Sequence, residues 1–391
     1  ASRRRHTRSL CDWSSDVCSS DLDPSAKIWD PKPQNRAIET DLTAAAAISV
    51  VVACDNAYVP HLGALVSSII DNLSPGRALE LLILDGGIST DNQTMLKRLL
   101  GHRGSLHFIP MEHEFTAFFT HMHFSRATFY RLALDKMLTS RDRVIYIDCD
   151  TIALGDIAEL WDIDMGDKPI AAVHDFIMES FCRTNVLSAD FTGSLPASTY
   201  LREYLGLGES DYKQYFQAGV LVMNLRAIRE LGVSDQMIAA LRQRKYWFLD
   251  QDVLNKYFCG SQLQLPPEWN VITVIDEISG GLDPDTADRL RQAKNEAKLI
   301  HYAGYEAKPW VNDSAPLAPY YFHYLRRTFW YEDVMAQIRP TGRTAMHGGH
   351  SDNWKRRWQQ QLRKAWRRLP FQARRMLNPT AYRVQRWISG D

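Results

Sequence analysis

The sequence predicts an α/β fold, a mostly parallel sheet covered by helices on both faces, and three observations predict it. Short aliphatic runs alternate with longer helical patterns from Ile48 onward, and strands and helices taking turns at this spacing imply parallel pairing through crossovers. The first run, Ile48–Ala53, is apolar apart from Ser49 and reads as a buried strand. The chain has 391 residues, 45% apolar and 24% charged, enough for one large domain with extensions and an ordinary mixture for a folded one.

In chain order, Ile48–Ala53 is the first strand and Pro60–Leu73 the helix after it. Leu79–Leu84 is a second strand, Asn92–Leu100 a polar helix and Ser105–Ile109 a third strand. A helix is expected over Ser125–Leu138, followed by a β-rich run, Arg143–Asp148, that ends in polar residues. Further strands are expected at Ile170–Val173, Val220–Met223 and Leu299–Tyr302, with helices over Ser234–Arg244 and Asp250–Phe258. No internal repeat or low-complexity tract interrupts the pattern. The simplest partition is one domain over residues 47–330, an irregular lead-in over 23–46, and a tail over 331–391.

Residues 1–22 stand apart. Asp12–Leu22 reads DWSSDVCSSDL, which back-translates to a sequencing-library adaptor, and Arg4–Arg8 fits the upstream part of the same oligonucleotide. This segment is therefore expected to be translated adaptor and is excluded from fold reasoning. Four cysteines remain, Cys54, Cys149, Cys182 and Cys259, with no C-x-x-C pair. That is neither a zinc framework nor a disulfide scaffold, so a reducing compartment is the default. No apolar run reaches the roughly 18 residues a membrane span needs.

The formal net charge is zero, which argues against a nucleic-acid partner, but the balance conceals a split. Thr341–Asp391 carries 12 Lys/Arg and 2 Asp/Glu, whereas Asp23–Pro340 carries 30 and 41. An acidic body and a basic tail suggest separate tasks.

In open α/β sheets ligands sit beyond the carboxyl ends of the strands, which directs attention to Asp148-Cys149-Asp150 after Val144–Ile147. On an extended segment alternate side chains share a side, so Asp148 and Asp150 would converge with Cys149 opposite. Two hard oxygen ligands there suit Mn²⁺ or Mg²⁺, which would bridge the oxygens of a diphosphate. His301, near the end of another short strand, can serve as a third ligand, although a histidine satisfied in the core is the ordinary alternative. Lys308, in a loop before Pro309-Trp310, can neutralise phosphate oxygens or sit solvated at the surface.

Seven segments in order carry a resemblance: VVACDNAYVPHLGALVSSI (Val51–Ile69), SRATFYRL (Ser125–Leu132), DRVIYIDCDTIALGDIAELW (Asp142–Trp161), AAVHD (Ala171–Asp175), YFQAGVLVMNL (Tyr215–Leu225), FLDQDVLN (Phe248–Asn255) and HYAGYEAKPW (His301–Trp310). Together they resemble the family 8 retaining glycosyltransferases, in particular the lipopolysaccharide galactosyl- and glucosyltransferases. The resemblance implies a single Rossmann-like GT-A nucleotide-sugar-binding domain. It also implies that Asp148, Asp150 and His301 hold Mn²⁺ on the diphosphate of a UDP-hexose. Asp55 and Tyr58 would meet the uracil, and Gly304 and Lys308 would close over the phosphates. Arg131, Asp175 and Asp250 would contact the donor sugar, with Gln251 near its anomeric carbon. From the residues alone, Arg131 and Asp175 could instead form a salt bridge, and Asp250 could cap the helix that follows it. Three places depart from the family pattern: Ala57 and Gln217 each stand where Asn is usual, and three residues separate Gly304 from Lys308 where two are commoner.

In the tail, Trp354, Trp358, Leu362, Ala365, Trp366 and Leu369 recur at helical spacing among Lys and Arg, and four of the chain's 11 Trp fall there. Basic amphipathic helices of this kind suit an anionic membrane surface; packing on the acidic body is the alternative. RNA binding is disfavoured because the aromatics form one stripe instead of interleaving.

The expected function is metal-dependent, retaining transfer of glucose or galactose from a UDP-sugar to a carbohydrate or lipid-linked glycan acceptor such as lipopolysaccharide core. The expected location is cytoplasmic, peripheral on the inner face of the membrane. The rivals are a metal-dependent phosphohydrolase using the same aspartates and a non-catalytic nucleotide-sugar-binding module.

Overall fold

The structure is a computed structural model that describes residues 47–111, 118–120, 126–208 and 213–338. The expected adaptor segment (residues 1–22), the expected lead-in (23–46) and the tail from residue 339 onward lie outside the described residues.

Seven strands form the central sheet: β1 (Ala47–Cys54), β2 (Ala78–Asp85), β3 (Gly104–Pro110), β4 (Arg143–Ile147), β6 (Ile170–His174), β7 (Phe216–Asn224) and β8 (Leu263–Leu265). Their order is β3-β2-β1-β4-β7-β6-β8. Every pairing is parallel except those of β7, which runs antiparallel to both β4 and β6. Alternate residues of the first strands feed opposite faces. Val51 and Ala53 join Leu82 and Leu84 in one apolar cluster, while Ile48, Val50 and Val52 join Leu79, Leu81 and Ile83 in the other. A strand buried on both faces has no polar alternation to show, which is why β1 is apolar except for Ser49, whose hydroxyl donates to buried Glu80 of β2. Each such Val, Leu or Ile side chain contributes about 1.5–3 kcal/mol by leaving water.

A second sheet joins β5 (Thr151–Ala153), β9 (Val271–Ile272) and β10 (Leu299–His301) in the order β5-β10-β9. The expected strand at Leu299–Tyr302 thus belongs to this small sheet. Because β5 begins one residue after Asp150 and pairs His301 with Thr151, the small sheet brings the end of β10 to the end of β4. Helix Val59–Asn72 fastens the two sheets together: Ser68 Oγ accepts from the Ala153 amide at 2.9 Å, and Asn72 donates to the Ala153 carbonyl at 3.1 Å.

The helix expected over Ser125–Leu138 is a 3₁₀ segment, Arg126–Ala133, leading into one α-turn, Leu134–Met137. The tighter winding accompanies a local bond from Arg131 Nε to the Thr128 carbonyl, and such departures from α geometry commonly mark functional sites. Beyond Trp330, helix Tyr331–Ile338 places Val334 among Ile300, Tyr302, Tyr321 and Leu325. The packed body therefore continues past residue 330.

Chain order reverses at β1: β2 and β3 lie to one side and β4 to the other. The crevice outside the carboxyl ends of β1 and β4 is a topological switch point, where α/β sheets bind ligands.

Candidate active site

All eleven residues singled out in the sequence line one cleft at that crevice. Asp148 and Asp150 do not converge as alternate residues of an extended strand, however. β4 ends at Ile147, and Asp148–Asp150 turn back toward β5, held by Thr151 Oγ1 on the Asp148 carbonyl at 2.8 Å. Cys149 points into the interior, its thiol on the Ala53 carbonyl at 2.7 Å. The turn brings one oxygen from each carboxylate and a ring nitrogen of His301 within 4.8 Å of one another. His301 Nε2 lies 3.3 Å from Asp150 and 4.0 Å from Asp148.

His301 is buried, and its other nitrogen, Nδ1, meets Asn270 Oδ1 at 3.0 Å. Asn270 Nδ2 in turn donates to Gln217 Oε1 at 2.7 Å. Space for the imidazole exists only because residue 219 is glycine: a Cβ there would stand 2.3 Å from the ring's Cε1.

Lys308 is 3% exposed, so it is not a solvated surface lysine. Its ammonium donates to Asp150 Oδ2 at 2.5 Å and to the Tyr302 carbonyl at 3.2 Å. Burial alone would raise the Asp150 carboxyl, but Lys308 and His301 outweigh it and hold the group well below the usual range. A carboxylate kept ionised beside a histidine nitrogen is a donor set suited to a hard or borderline divalent cation.

The guanidinium of Arg131 is not paired with Asp175. It donates to Asp148 Oδ1 at 2.8 Å, faces Asp250 Oδ2 at 2.9 Å, and lies 4.2 Å over the Tyr146 ring. Burial opposes its charge, yet the two carboxylates raise its pKa. Asp250 is not a helix cap either; Phe248 holds that place before helix Leu249–Phe258. Burial pushes the Asp250 carboxyl up to about 6 despite Arg131 and Thr128. Asp175 is the capping residue, accepting from Met178 N at 2.9 Å ahead of helix Phe176–Thr184.

Gln251 is held at both ends. Its Oε1 accepts from Ala218 N at 3.0 Å, and its Nε2 donates to Asp175 Oδ2 at 2.7 Å and Tyr215 OH at 3.3 Å. One residue on, buried Asp252 accepts from Tyr200 OH at 2.6 Å, Tyr215 OH at 2.5 Å and Phe248 N at 2.7 Å. Leu249 adopts φ +48, a conformation costing a β-carbon-bearing residue roughly 1–3 kcal/mol. Complete burial of its side chain offsets about that much, so the bend that presents Asp250 and Gln251 to the cleft is sustained.

At the end of β1, Asp55 Oδ1 accepts from the amides of Ala57 and Tyr58 at 3.0 and 3.1 Å, forming the turn into helix Val59–Asn72. Tyr58 meets the Trp310 ring edge-on at 6.1 Å, and His61 stacks on Trp310 at 3.6 Å. Lys308 lies within cation–π range of both Tyr58 and Trp310. Gly304, with φ +90, supplies the left-handed bend that returns this loop over the cleft.

Gly219, Asn270, Thr128 and Asp252 escaped the sequence reading as site residues. Asp252, two residues after Asp250 in a helix opening with two acids, offered the one available cue. Nothing in the sequence joins Asn270 to His301, because only the pairing of β9 with β10 makes them neighbours.

Comparison with known proteins agrees with this geometry. The family description "Glycosyl transferase family 8" matches residues 49–314. General stress protein A of Bacillus subtilis (strain 168) is 28% identical over 299 residues, which is 72% of this chain and 94% of that protein. Lipopolysaccharide 1,2-glucosyltransferase of Escherichia coli (strain K12) is 28% identical over 214 residues, 54% of this chain and 56% of that enzyme. Among solved structures, apo WbbM bifunctional glycosyltransferase superposes with a TM-score of 0.68 at 30% identity, over 75% of this chain and 52% of that one. Galactosyltransferase LgtC, in complex with donor and acceptor sugar analogs, shares the fold with a TM-score of 0.58 at 23% identity, over 72% of this chain and 96% of that one. The chain thus spans little more than half of the E. coli enzyme and of WbbM. With the family match covering most of the chain and the cleft built at the switch point of a GT-A-like sheet, the chain belongs to glycosyltransferase family 8.

Proposed function

We propose that the chain transfers glucose or galactose from a UDP-hexose to a glycan acceptor with retention at the anomeric carbon. The observation that carries this reading is the convergence of Asp148, Asp150 and His301 in one cleft with Lys308, Tyr58 and Gln251. The donor set fits Mn²⁺ or Mg²⁺: two carboxylates and an imidazole from three chain positions, with Asp150 held ionised. When bound, such an ion stabilises the negative charge that develops on the departing diphosphate.

The chain's own residues supply the rest. Tyr58 offers a ring face for the uracil and Asp55, whose Oδ1 holds the turn, its Oδ2 beside it. Lys308 exchanges its bond to Asp150 for the donor's phosphate oxygens, adding a cation where leaving-group charge grows. Arg131 fixes Asp148 and Asp250 as a unit, so the metal-binding turn and the sugar-facing carboxylate move together. Asp175 and Asp250 provide acceptors for sugar hydroxyls. Gln251 is an amide pinned by Ala218 and Asp175, a poor nucleophile but a firm dipole near the anomeric carbon. This favours attack by the acceptor hydroxyl on the face the leaving phosphate vacates, with the diphosphate taking the hydroxyl proton. Mass spectrometry of enzyme quenched during turnover tests the step; a hexosyl adduct on a side chain contradicts it.

The E. coli relative is named for lipopolysaccharide, which supports a lipid-linked or lipopolysaccharide-type acceptor at the inner face of the cytoplasmic membrane. Among the described residues no helix is long and apolar enough to cross a membrane. Attachment would come from the basic Trp- and Leu-bearing tail, residues 341–391, by anionic headgroup attraction. Co-sedimentation with anionic liposomes is expected for the full chain and lost without residues 341–391; equal binding contradicts the tail's role.

A further inference from the structure

We propose that Gln217 and Asn270 are positioning residues that set the protonation pattern of His301, leaving its Nε2 lone pair for the metal. The inference rests on the metal reading above and concerns residues to which that reading gives no role.

The direction of the chain is fixed by one main-chain group. The Gly219 N–H can only donate, and the atom it meets is the side-chain oxygen of Gln217, at 2.5 Å. The two ends of an amide side chain are told apart by such partners. With its oxygen so placed, Gln217 accepts a second bond, and only the NH₂ of Asn270 can provide it, at 2.7 Å. Asn270 must then turn its carbonyl to His301 Nδ1, at 3.0 Å. A carbonyl accepts, so Nδ1 carries the hydrogen, and Nε2 is the nitrogen free to ligate. It faces Asp150 at 3.3 Å and Asp148 at 4.0 Å.

Gly219 is also the physical link between this chain and the aspartates. Its carbonyl accepts from the Asp148 amide at 2.8 Å, while its missing side chain makes room for the imidazole. One β7 residue thereby holds the Asp148 turn with its carbonyl and orients the histidine through its amide. Asn270 is buried and Gln217 half-buried, so water competes weakly for these bonds. Partners of this kind orient metal-ligating histidines and, when removed, cost roughly 10- to 100-fold in metal affinity.

The test is Mn²⁺ binding to the full chain without nucleotide, read from the electron paramagnetic resonance signal of free Mn²⁺. Gln217→Met and Asn270→Leu should each weaken binding by roughly 10- to 100-fold. Gln217→Glu keeps an acceptor for both donors and should stay within about threefold of wild type, and the Met/Leu double variant should bind no worse than Asn270→Leu alone. Long-range ¹H–¹⁵N spectra of the Mg²⁺-loaded protein should show His301 protonated at Nδ1 in wild type and redistributed in Gln217→Met. Should Asn270→Leu fail to fold, the comparison of Gln217→Met with Gln217→Glu and the imidazole spectra still decide. Wild-type affinity in Gln217→Met, equal losses in the Met and Glu variants, or an Nε2-protonated His301 in wild type overturns the inference. A wild-type protein that takes up no Mn²⁺ overturns the metal reading and this inference with it, whereas tight wild-type binding with indifferent variants overturns the inference alone.

Discussion

Asp150 bears most directly on the metal site, because its carboxylate pairs with both His301 and Lys308. Asp150→Asn is expected to abolish measurable Mn²⁺ binding and to lower turnover by about 10²- to 10³-fold, the scale of losing one preorganised electrostatic partner. Calorimetric titration beside steady-state kinetics checks it. Gly219→Ala should have the same consequence without replacing a ligand, since the new methyl would overlap the His301 ring; retained Mn²⁺ affinity in that variant would contradict this. Asp252 makes a prediction about pH. Burial raises its folded-state pKa to about 6, opposed in part by Tyr200 and Tyr215, so the folded protein holds this proton more tightly than the unfolded chain. Its contribution to stability is present below the unfolded value near 3.8 and declines as pH rises through about 6, with a slope of at most about 1.4 kcal/mol per pH unit. Urea denaturation between pH 4 and 7 should show the difference between wild type and Asp252→Asn narrowing with rising pH; a difference that widens contradicts the assignment. The aspartates, His301 and Lys308 were legible in the sequence because their chemistry is encoded in residue type. Asn270 was not, because its role is a contact across β9 and β10 that local spacing cannot carry.

At the scale of elements, what the sequence conveyed was burial. β1, β2 and β3 each lie within one residue of the runs that predict them; β1 and β2 are buried on both faces and nearly all apolar, whereas the edge strand β3 is half-exposed and keeps Ser105 and His107. Direction was not legible: Val220–Met223 is as apolar as Val50–Ala53, yet β7 runs against both neighbours, and an apolar run reads the same either way. The segment after Ser125 shows the same limit, because helical periodicity does not separate 3₁₀ from α winding within two turns. Helix Val59–Asn72 carries a prediction of its own. Gly63 lies against Trp330, and a Cβ there would stand 2.6 Å from the indole ring. Gly63→Ala should therefore cost about 1–3 kcal/mol by overpacking while leaving the turnover number unchanged, because neither Gly63 nor Trp330 lines the cleft. Denaturant unfolding checks the first part and kinetics at saturating donor the second.

For the whole molecule, zero net charge conceals a body rich in carboxylates and a tail rich in Lys and Arg. The cleft explains part of the acidity, since Asp55, Asp148, Asp150, Asp175 and Asp250 all line it. Charge of this density is tolerable because Arg131 and Lys308 are buried within it. Folding at the switch point converts seven dispersed sequence segments into one site, and the central claim is that this site cleaves a sugar–diphosphate bond with a metal's help. The most direct test is nuclear magnetic resonance of the products formed from UDP-glucose and UDP-galactose, with Mn²⁺ and then with chelator in excess. UDP and free hexose, released initially as the α-anomer, are expected with Mn²⁺ only. Release of UMP with hexose phosphate, of inorganic phosphate, or of UDP at an undiminished rate in chelator would contradict the claim.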